Sequence, residues 1–296
     1  MLRPDDDTAQ PFQIEASGLR GRLVRLGPAL DAILATHAYP APVSHALGEM
    51  VVVSAVLSSL LKYDGIFTLQ TSSNGPVRTL MADITSDGAM RGYARFDADA
   101  LPDDDWVPLD ALLGRGHLAF TVDQGTHTER YQGIVDLKGS TVAECLQHYF
   151  RQSEQIDVGL KSALMATPDG WRGGGLLVQR LPDAAPDMPS DHEDDWRRAM
   201  VLMESCTDGE LVGPDVPIND LLFRLFHEDG VRVFTPSSLM QRCRCSRERV
   251  EMILRSLDPA EVEDHKVDGV VTMTCEFCNT TYTFDAVDLA RLFADA

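Results

Sequence analysis

Hydrophobic and polar positions along the chain change period at several points, and each change marks a shift of secondary structure. Residues 1–11 carry no pattern and read as a frayed tail. From Phe12 to Leu26 the apolar positions alternate loosely, which suggests strands. Pro28 suits the first turn of a helix, and Leu30, Ile33 and Leu34 keep helical spacing through Ala38. Val43–Lys62 reads as a long helix apolar on most sides, which belongs at the centre of a core. The period then drops to two. Ile66–Thr71, Val77–Ile84 and Met90–Phe96 form a predicted meander with turns at Asn74-Gly75 and Asp87-Gly88. His117–Val122 and Thr128–Leu137 make a further hairpin across Asp123–Thr126.

Thr141-Val-Ala-Glu144 is a capping box, and the helix it opens is striped by Val142, Cys145, Leu146, Tyr149 and Phe150, so Cys145 faces the core. Strands resume at Val158–Ala166 and Gly175–Leu181, with Gly173, Gly174 and Gly175 read as a tight connection between them. No Gly-Lys-Ser/Thr follows, so these glycines are not a phosphate loop. The order of elements predicts an α+β core of antiparallel sheet and helices over residues 1–182.

Composition shifts at Pro182. From Asp183 to Gly230 there are 13 acids against 3 bases, a balance of −10 in a chain whose net charge is −20. Two helical stripes survive inside this segment: Trp196, Met200 and Met203, then Ile218, Leu221, Leu222, Leu225 and Phe226. The stripes are apolar enough to fold against something, while the acids repel one another. Residues 183–235 therefore read as a metastable helical linker, and two readings stand: an ordinary connection, or a segment that docks on the core and offers adhesive surface when it comes loose.

The chain has 296 residues, 44% of them hydrophobic, enough for one sizeable core and one or two smaller units. Ser44, His45, Glu49, Ser54, Ser58 and Ser59 interrupt the most apolar stretch, so a buried helix is expected there, and no membrane partner. Asp5, Asp6 and Asp7 stand where a signal peptide would be basic and then apolar, which points to the cytoplasm. With 46 acids to 26 bases, the molecule repels phosphate backbones, against nucleic acid as main partner. The histidines His37, His45, His117, His127 and His148 have no acid or serine motif around them, and no catalytic residue is expected.

Four of the six cysteines fall in two tight pairs: Cys243-Arg-Cys245, then 29 residues, then Cys275-Glu-Phe-Cys278. Two close thiol pairs separated by a short foldable segment match a closed tetrahedral zinc site of four cysteines, with no position left for water or substrate. In a reducing compartment such pairs are more often metal ligands or redox elements than structural disulfides. Cysteines this close also oxidise to local disulfides, so each pair can be a clamp when reduced and a disulfide when oxidised. Arg242, Arg244, Arg247 and Arg249 surround the first pair with Glu248 as the one acid. This positive charge favours thiolate; the same run also reads as a helix start or a nucleic-acid patch. Residues 236–296 are few for a domain held by apolar burial, so metal is expected to supply the difference. Arg247–Leu257 and a second segment from Pro259 are predicted helices, and Gly269–Thr274 with Thr280–Phe284 a hairpin around the second pair.

The run from Met240 to Arg249, the distal Cys275-Glu-Phe-Cys278-Asn and the following Tyr282-Thr-Phe-Asp resemble the C-terminal domain of the redox-regulated bacterial chaperones called heat shock protein 33, or 33 kDa chaperonin. Upstream, Arg20–Arg25, His45-Ala-Leu-Gly-Glu49 and Gly133–Leu137 extend the resemblance over nearly the whole chain. It implies an ATP-independent holdase, not an enzyme, that binds unfolding client proteins under oxidative stress. It implies inactivity when reduced and bound to Zn2+, and a homodimer once oxidised. Together with the thiol chemistry it gives an expected switch: disulfides Cys243 with Cys245 and Cys275 with Cys278, loss of zinc, and a freed linker. Two competing readings stand beside it, a nucleic-acid-binding zinc protein and a thiol oxidoreductase using Cys275 and Cys278. The second pair lies between two strand-like runs instead of at a helix start, against the oxidoreductase.

Overall fold

The computed structural model describes residues 5–125, 130–154, 156–180, 192–213 and 215–294, which form two compact units divided between Gln241 and Arg242. The first unit is built on two six-stranded sheets. One contains β1 (Thr8–Ile14), β2 (Arg20–Leu26), β8 (Val158–Thr167) and β9 (Gly170–Gln179), with β10 (Val231–Val233) and β11 (Ser237–Ser238) both paired to β1. Its order is β10-β1-β2-β9-β8. The other is the predicted meander β3 (Ile66–Ser73), β4 (Val77–Thr85) and β5 (Ala89–Phe96), extended on one side by β6 (Gly116–Asp123) and β7 (Tyr131–Asp136) and on the other by β12 (Met240–Gln241). Of the predicted hairpin connection, Thr126 lies outside the described residues, as do Thr128 and Glu129 of the following strand.

Helix α1 (Pro28–Leu34) leads into α2 (Ala41–Ser58), which packs against strands of both sheets. Along α2 every position is buried except Ala41, His45 and Glu49, which fall on one stripe four residues apart. This is the one described helix long and apolar enough to cross a membrane, and its place inside the core accounts for its composition. The polar stripe ties the helix to its neighbours: the Glu49 carboxylate accepts the N–H groups of Val142 and Ala143, each at 3.1 Å, and the Ser162 hydroxyl at 2.9 Å. Those amides open α4 (Val142–Tyr149), whose Thr141 cap accepts from Glu144 N as the capping box predicts. α3 (Leu109–Leu113) buries Leu109, Leu112 and Leu113 in the same core.

Two readings of the sequence need correction. The frayed tail is a strand from Thr8 onward, and the acids before it are anchors: Asp7 accepts from Gly27 N at 2.9 Å and Ala29 N at 3.1 Å, and Asp6 pairs with Arg172. Gln10, Pro11 and the aspartates break any local pattern, because their partners lie far along the chain. The glycines Gly173, Gly174 and Gly175 are not a connection but the middle of β9; the turn into that strand comes earlier, between Thr167 and Gly170. They are glycines because helices approach both faces. A Cβ at Gly173 or Gly175 would stand 2.5–2.6 Å from Val52 or Val56 of α2, and one at Gly174 2.5 Å from the Leu211 carbonyl.

The acidic segment supplies α5 (His192–Ser205), α6 (Asp208–Val212) and α7 (Ile218–Phe226), while residues 181–191 lie outside the described part. Its apolar stripes make a second core with the outer face of the first sheet. Met203, Leu211, Ile218, Leu221, Leu222 and Phe226 are buried against Phe12, Ile14, Leu23, Leu176 and Val178. Phe226 stacks on Phe12 with ring centroids 5.7 Å apart. Arg198, Arg224 and Arg197 each pair with an acid of the same segment, but these pairs are exposed and hold little.

Candidate metal centre

The second unit has little apolar material. Among the described residues its core is Val250, Leu254, Val262, Val271, Phe284, Leu289 and Leu292. These come from α8 (Arg247–Arg255), α9 (Pro259–Asp264), the hairpin β13 (Val271–Thr274) with β14 (Thr281–Phe284), and α10 (Ala286–Ala294). The last helix was not among the predicted elements, although its signal was present: Asp285 caps the amides of Val287 and Asp288 at 2.9 and 2.8 Å ahead of the Leu289 and Leu292 stripe.

Local structure presents the thiols in two loops. Cys243 and Cys245 lie in the extended run before α8, which starts where the Ser246 side chain accepts from Arg249 N. Cys275 and Cys278 lie in the turn between β13 and β14. There Cys275 N bonds the Thr280 carbonyl at 2.9 Å, Asn279 N bonds the Cys275 carbonyl at 2.8 Å, and Asn279 takes the left-handed conformation with φ 57°. Asn tolerates that region better than most side chains, so a tight turn closes without glycine.

The two loops meet. All four sulfurs lie within 4.8 Å of one another, with Cys243 Sγ 3.7 Å from Cys275 Sγ and Cys245 Sγ 3.3 Å from Cys278 Sγ. A zinc–sulfur bond of about 2.3 Å places tetrahedral sulfurs roughly 3.8 Å apart, so the cluster fits a four-coordinate ion. Four clustered thiols can hold a metal ion, and an all-sulfur set suits zinc. His265 is not in the cluster; its Nδ1 lies 2.8 Å from the Glu261 carbonyl.

As thiols, Cys278, Cys245 and Cys275 differ. Burial raises Cys278, but the Thr280 hydroxyl and amide, helped by the Cys245 and Cys243 thiols, outweigh it and bring the group down to about 6. Burial pushes Cys245 up to about 12, the neighbouring thiols adding to the rise and the Tyr282 hydroxyl, donating to its sulfur at 3.2 Å, opposing it. Cys275 is raised too, burial again leading. The directions differ from one sulfur to the next, and a cation favours the thiolate form of whichever thiols it binds. Thr280 and Tyr282 lie in the predicted strand Thr280–Phe284, where neither was assigned a role; their hydroxyls face sulfur.

Two of the four arginines expected to neutralise thiolate are occupied elsewhere. Arg247 lies over the Phe284 ring at 4.4 Å, pairs with Asp288 at 2.7 Å and donates to the Thr283 carbonyl; Arg249 donates to the Arg244 carbonyl at 2.7 Å. Both hold the fold of this unit together. Cys145 and Cys206 sit apart in the first unit, both buried, and burial raises both thiols, Cys145 to about 11.

A family model describing the Hsp33 protein matches residues 7–285. This chain belongs to the Hsp33 family. Among Hsp33 relatives, the 33 kDa chaperonin of Ectopseudomonas mendocina is 41% identical over 293 residues, covering 98% of this chain and 96% of that protein. The 33 kDa chaperonin of Caulobacter vibrioides is 38% identical over 289 residues, with 95% of each covered. The crystal structure of the 33 kDa chaperonin, a heat shock protein 33 homolog, from Thermotoga maritima has the same fold, with a TM-score of 0.84 over 98% of each chain at 24% identity. Membership in the Hsp33 family supports a chaperone function, and the cysteine cluster is compatible with redox and zinc regulation of it.

Proposed function

We propose that this protein is a redox-regulated, ATP-independent holdase of the cytoplasm that binds unfolding proteins and prevents their aggregation under oxidative stress. The observation that carries the reading is the meeting of four thiols in a unit whose own core is a handful of side chains. Cys243, Cys245, Cys275 and Cys278 would hold Zn2+, which when bound supplies roughly 10–16 kcal/mol to a unit otherwise near the limit of stability.

The chain's own residues supply the switch. Peroxide converts each pair, Cys243 with Cys245 and Cys275 with Cys278, to a disulfide. Each pair gives up two electrons and two protons, one S–S bond forms, and the peroxide leaves as two molecules of water. Disulfide sulfur no longer offers the anionic donors that hold a cation, so the second unit loses its main stabiliser. Residues 236–296 act in this scheme as the sensor, residues 183–235 as the releasable linker and residues 1–182 as the lasting core. When α5–α7 lift away, both their own stripes and the sheet face formed by Phe12, Leu23 and Leu176 are exposed to a client. The oxidised protein then pairs as a homodimer through surface of the same kind.

The test is to treat reduced protein with peroxide at raised temperature while following metal content, free thiols and aggregation of an unfolding substrate. One zinc per chain is lost with four thiols, and suppression of aggregation appears only afterwards. Equal suppression by the reduced protein would refute the switch.

A further inference from the structure

The segment from Val231 to Gln241 runs as an extended strap along the open edges of both sheets in the first unit. β10 pairs with β1 from Phe12 to Ile14, β11 pairs with β1 at Thr8 and Ala9, and β12 lies parallel to β5 at Ala89 and Met90. Between these pairings the backbone stays in register: Phe234 N donates to the Pro11 carbonyl at 3.0 Å, Leu239 N to the Asp7 carbonyl at 2.7 Å and Met240 N to the Gly88 carbonyl at 2.9 Å. The Gln10 side chain reaches out to the Phe234 carbonyl at 2.5 Å. At Gly88 the approach is so close that a Cβ would collide with the Ser238 carbonyl oxygen.

Very little of this attachment depends on the strap's side chains. Val233, Phe234 and Met240 are 41%, 47% and 40% exposed, and the serines and Pro236 face solvent. Leu239 is the main exception, 7% exposed and seated in the main core, and Val231 at the other end is partly buried against the second core. Beside it, a cleft of about 540 Å³ opens between the strap, Lys62 and Tyr63 past the end of α2, and the β4–β5 turn at Ser86. The contact is therefore a generic one: backbone hydrogen bonds to two edges and aliphatic packing at Val231 and Leu239. The strap ends two residues before Cys243.

We propose that the edges of β1 and β5, with the seat of Leu239, form a client-binding site that takes an extended apolar segment of an unfolded chain by strand addition, and that the strap occupies it as a built-in competitor. A vacated edge presents unpaired N–H and C=O groups, and any extended chain satisfies them whatever its sequence. This is what a chaperone with many clients requires, and the strap itself demonstrates that an extended segment fits. The proposal deepens the holdase reading and rests on it for when the edges open. Unfolding of the segment that begins at Arg242 frees the strap from its C-terminal end, removing β12 first and Leu239 next.

The experiment uses the full chain and a fluorescent peptide with the strap sequence, Val231–Gln241, together with a twin methylated at alternate backbone nitrogens that cannot pair with an edge. Two variants open the site without oxidation. Leu239→Ser removes the seated side chain, and Met240→Pro removes the donor to Gly88 while leaving every core side chain in place. The peptide should bind both reduced variants, and the oxidised natural chain, at least about tenfold more tightly than the reduced natural chain, because apparent affinity scales with the fraction of open edges. The methylated twin should bind none of them. Equal binding of the twin, or no gain on opening, overturns strand addition. Aggregation suppression is measured on the same samples: suppression without peptide binding removes the edge site and leaves the holdase. Peptide binding without suppression does the reverse.

Discussion

The Arg25 guanidinium donates through Nη1 to the Val216 carbonyl at 2.5 Å, so a charge fixed in β2 holds the turn that leads into α7. Its other nitrogens bond the carbonyls of Leu211 at 3.1 Å and Glu210 at 2.7 Å, and the side chain is 2% exposed. Asp5, 3.8 Å away, faces it and also accepts from Ile218 N. The acidic segment is thus fastened through main-chain oxygens, which no side-chain substitution within it removes. Arg25→Ala strands three carbonyls in a buried site and should cost about 3–5 kcal/mol. Urea unfolding measures the loss, and limited proteolysis of the reduced variant should cut near α6 where the natural chain resists. Arg25→Lys, with one compact ammonium, should fall between the two.

Gly174 and Gly209 predict opposite signs for the same change. A Cβ at Gly174 meets the Leu211 carbonyl at 2.5 Å, so Gly174→Ala pushes α6 off the sheet at about 1–3 kcal/mol. Gly209, within α6, has nothing within 4 Å, and Gly209→Ala should stabilise the packed acidic segment by about 0.5–1 kcal/mol through helix propensity alone. Thermal melts of the reduced forms separate them. On the holdase reading, Gly174→Ala should also activate at lower peroxide.

Burial raises the Glu49 carboxyl above 4.5, the ordinary glutamate value, against the pull of the Val142 and Ala143 amides and the Ser162 hydroxyl. A carboxyl with a raised folded pKa contributes stability that is fully present below its unfolded value and is lost as pH rises through the folded one. Glu49→Gln removes that proton. The difference in melting temperature, natural chain minus variant, should therefore fall as pH rises from the acidic side of 4.5 toward neutrality. A flat difference refutes the assignment.

Cys145 and Cys206 should remain unreacted while the paired cysteines react. Both are wholly buried, and burial holds both thiols in the protonated form, Cys145 with a pKa of about 11. At neutral pH in metal-stripped protein whose first unit is still folded, iodoacetamide should label Cys243, Cys245, Cys275 and Cys278 and leave Cys145 and Cys206 unmodified until denaturant is added. Peptide mass mapping over time reads the order.

Local signals carried much of the architecture. The apolar run of α2, the two-residue period and turns of β3–β5 and the Thr141 capping box depend on neighbours within a few positions, so the sequence exposes them. The two cysteine pairs were legible for the same reason, because each pair is a short motif, and Asn279 closes its turn locally. Thr280 and Tyr282 were harder to assign, since a hydroxyl facing sulfur leaves no periodic mark.

What the amino-acid order determined by itself was the alternation of elements, the acid surplus of the linker and the chemistry of four thiols, all of them properties of residues and their near neighbours. Tertiary structure alone decided that Asp5–Asp7 are anchors, that Gly173–Gly175 lie between packed helices, that Arg25 grips the carbonyls of Glu210, Leu211 and Val216 and that residues 231–241 close two sheet edges. Those facts depend on backbone groups meeting across tens to hundreds of positions, and a main-chain amide or carbonyl is the same in every residue but proline, so the sequence carries no sign of which one it will meet.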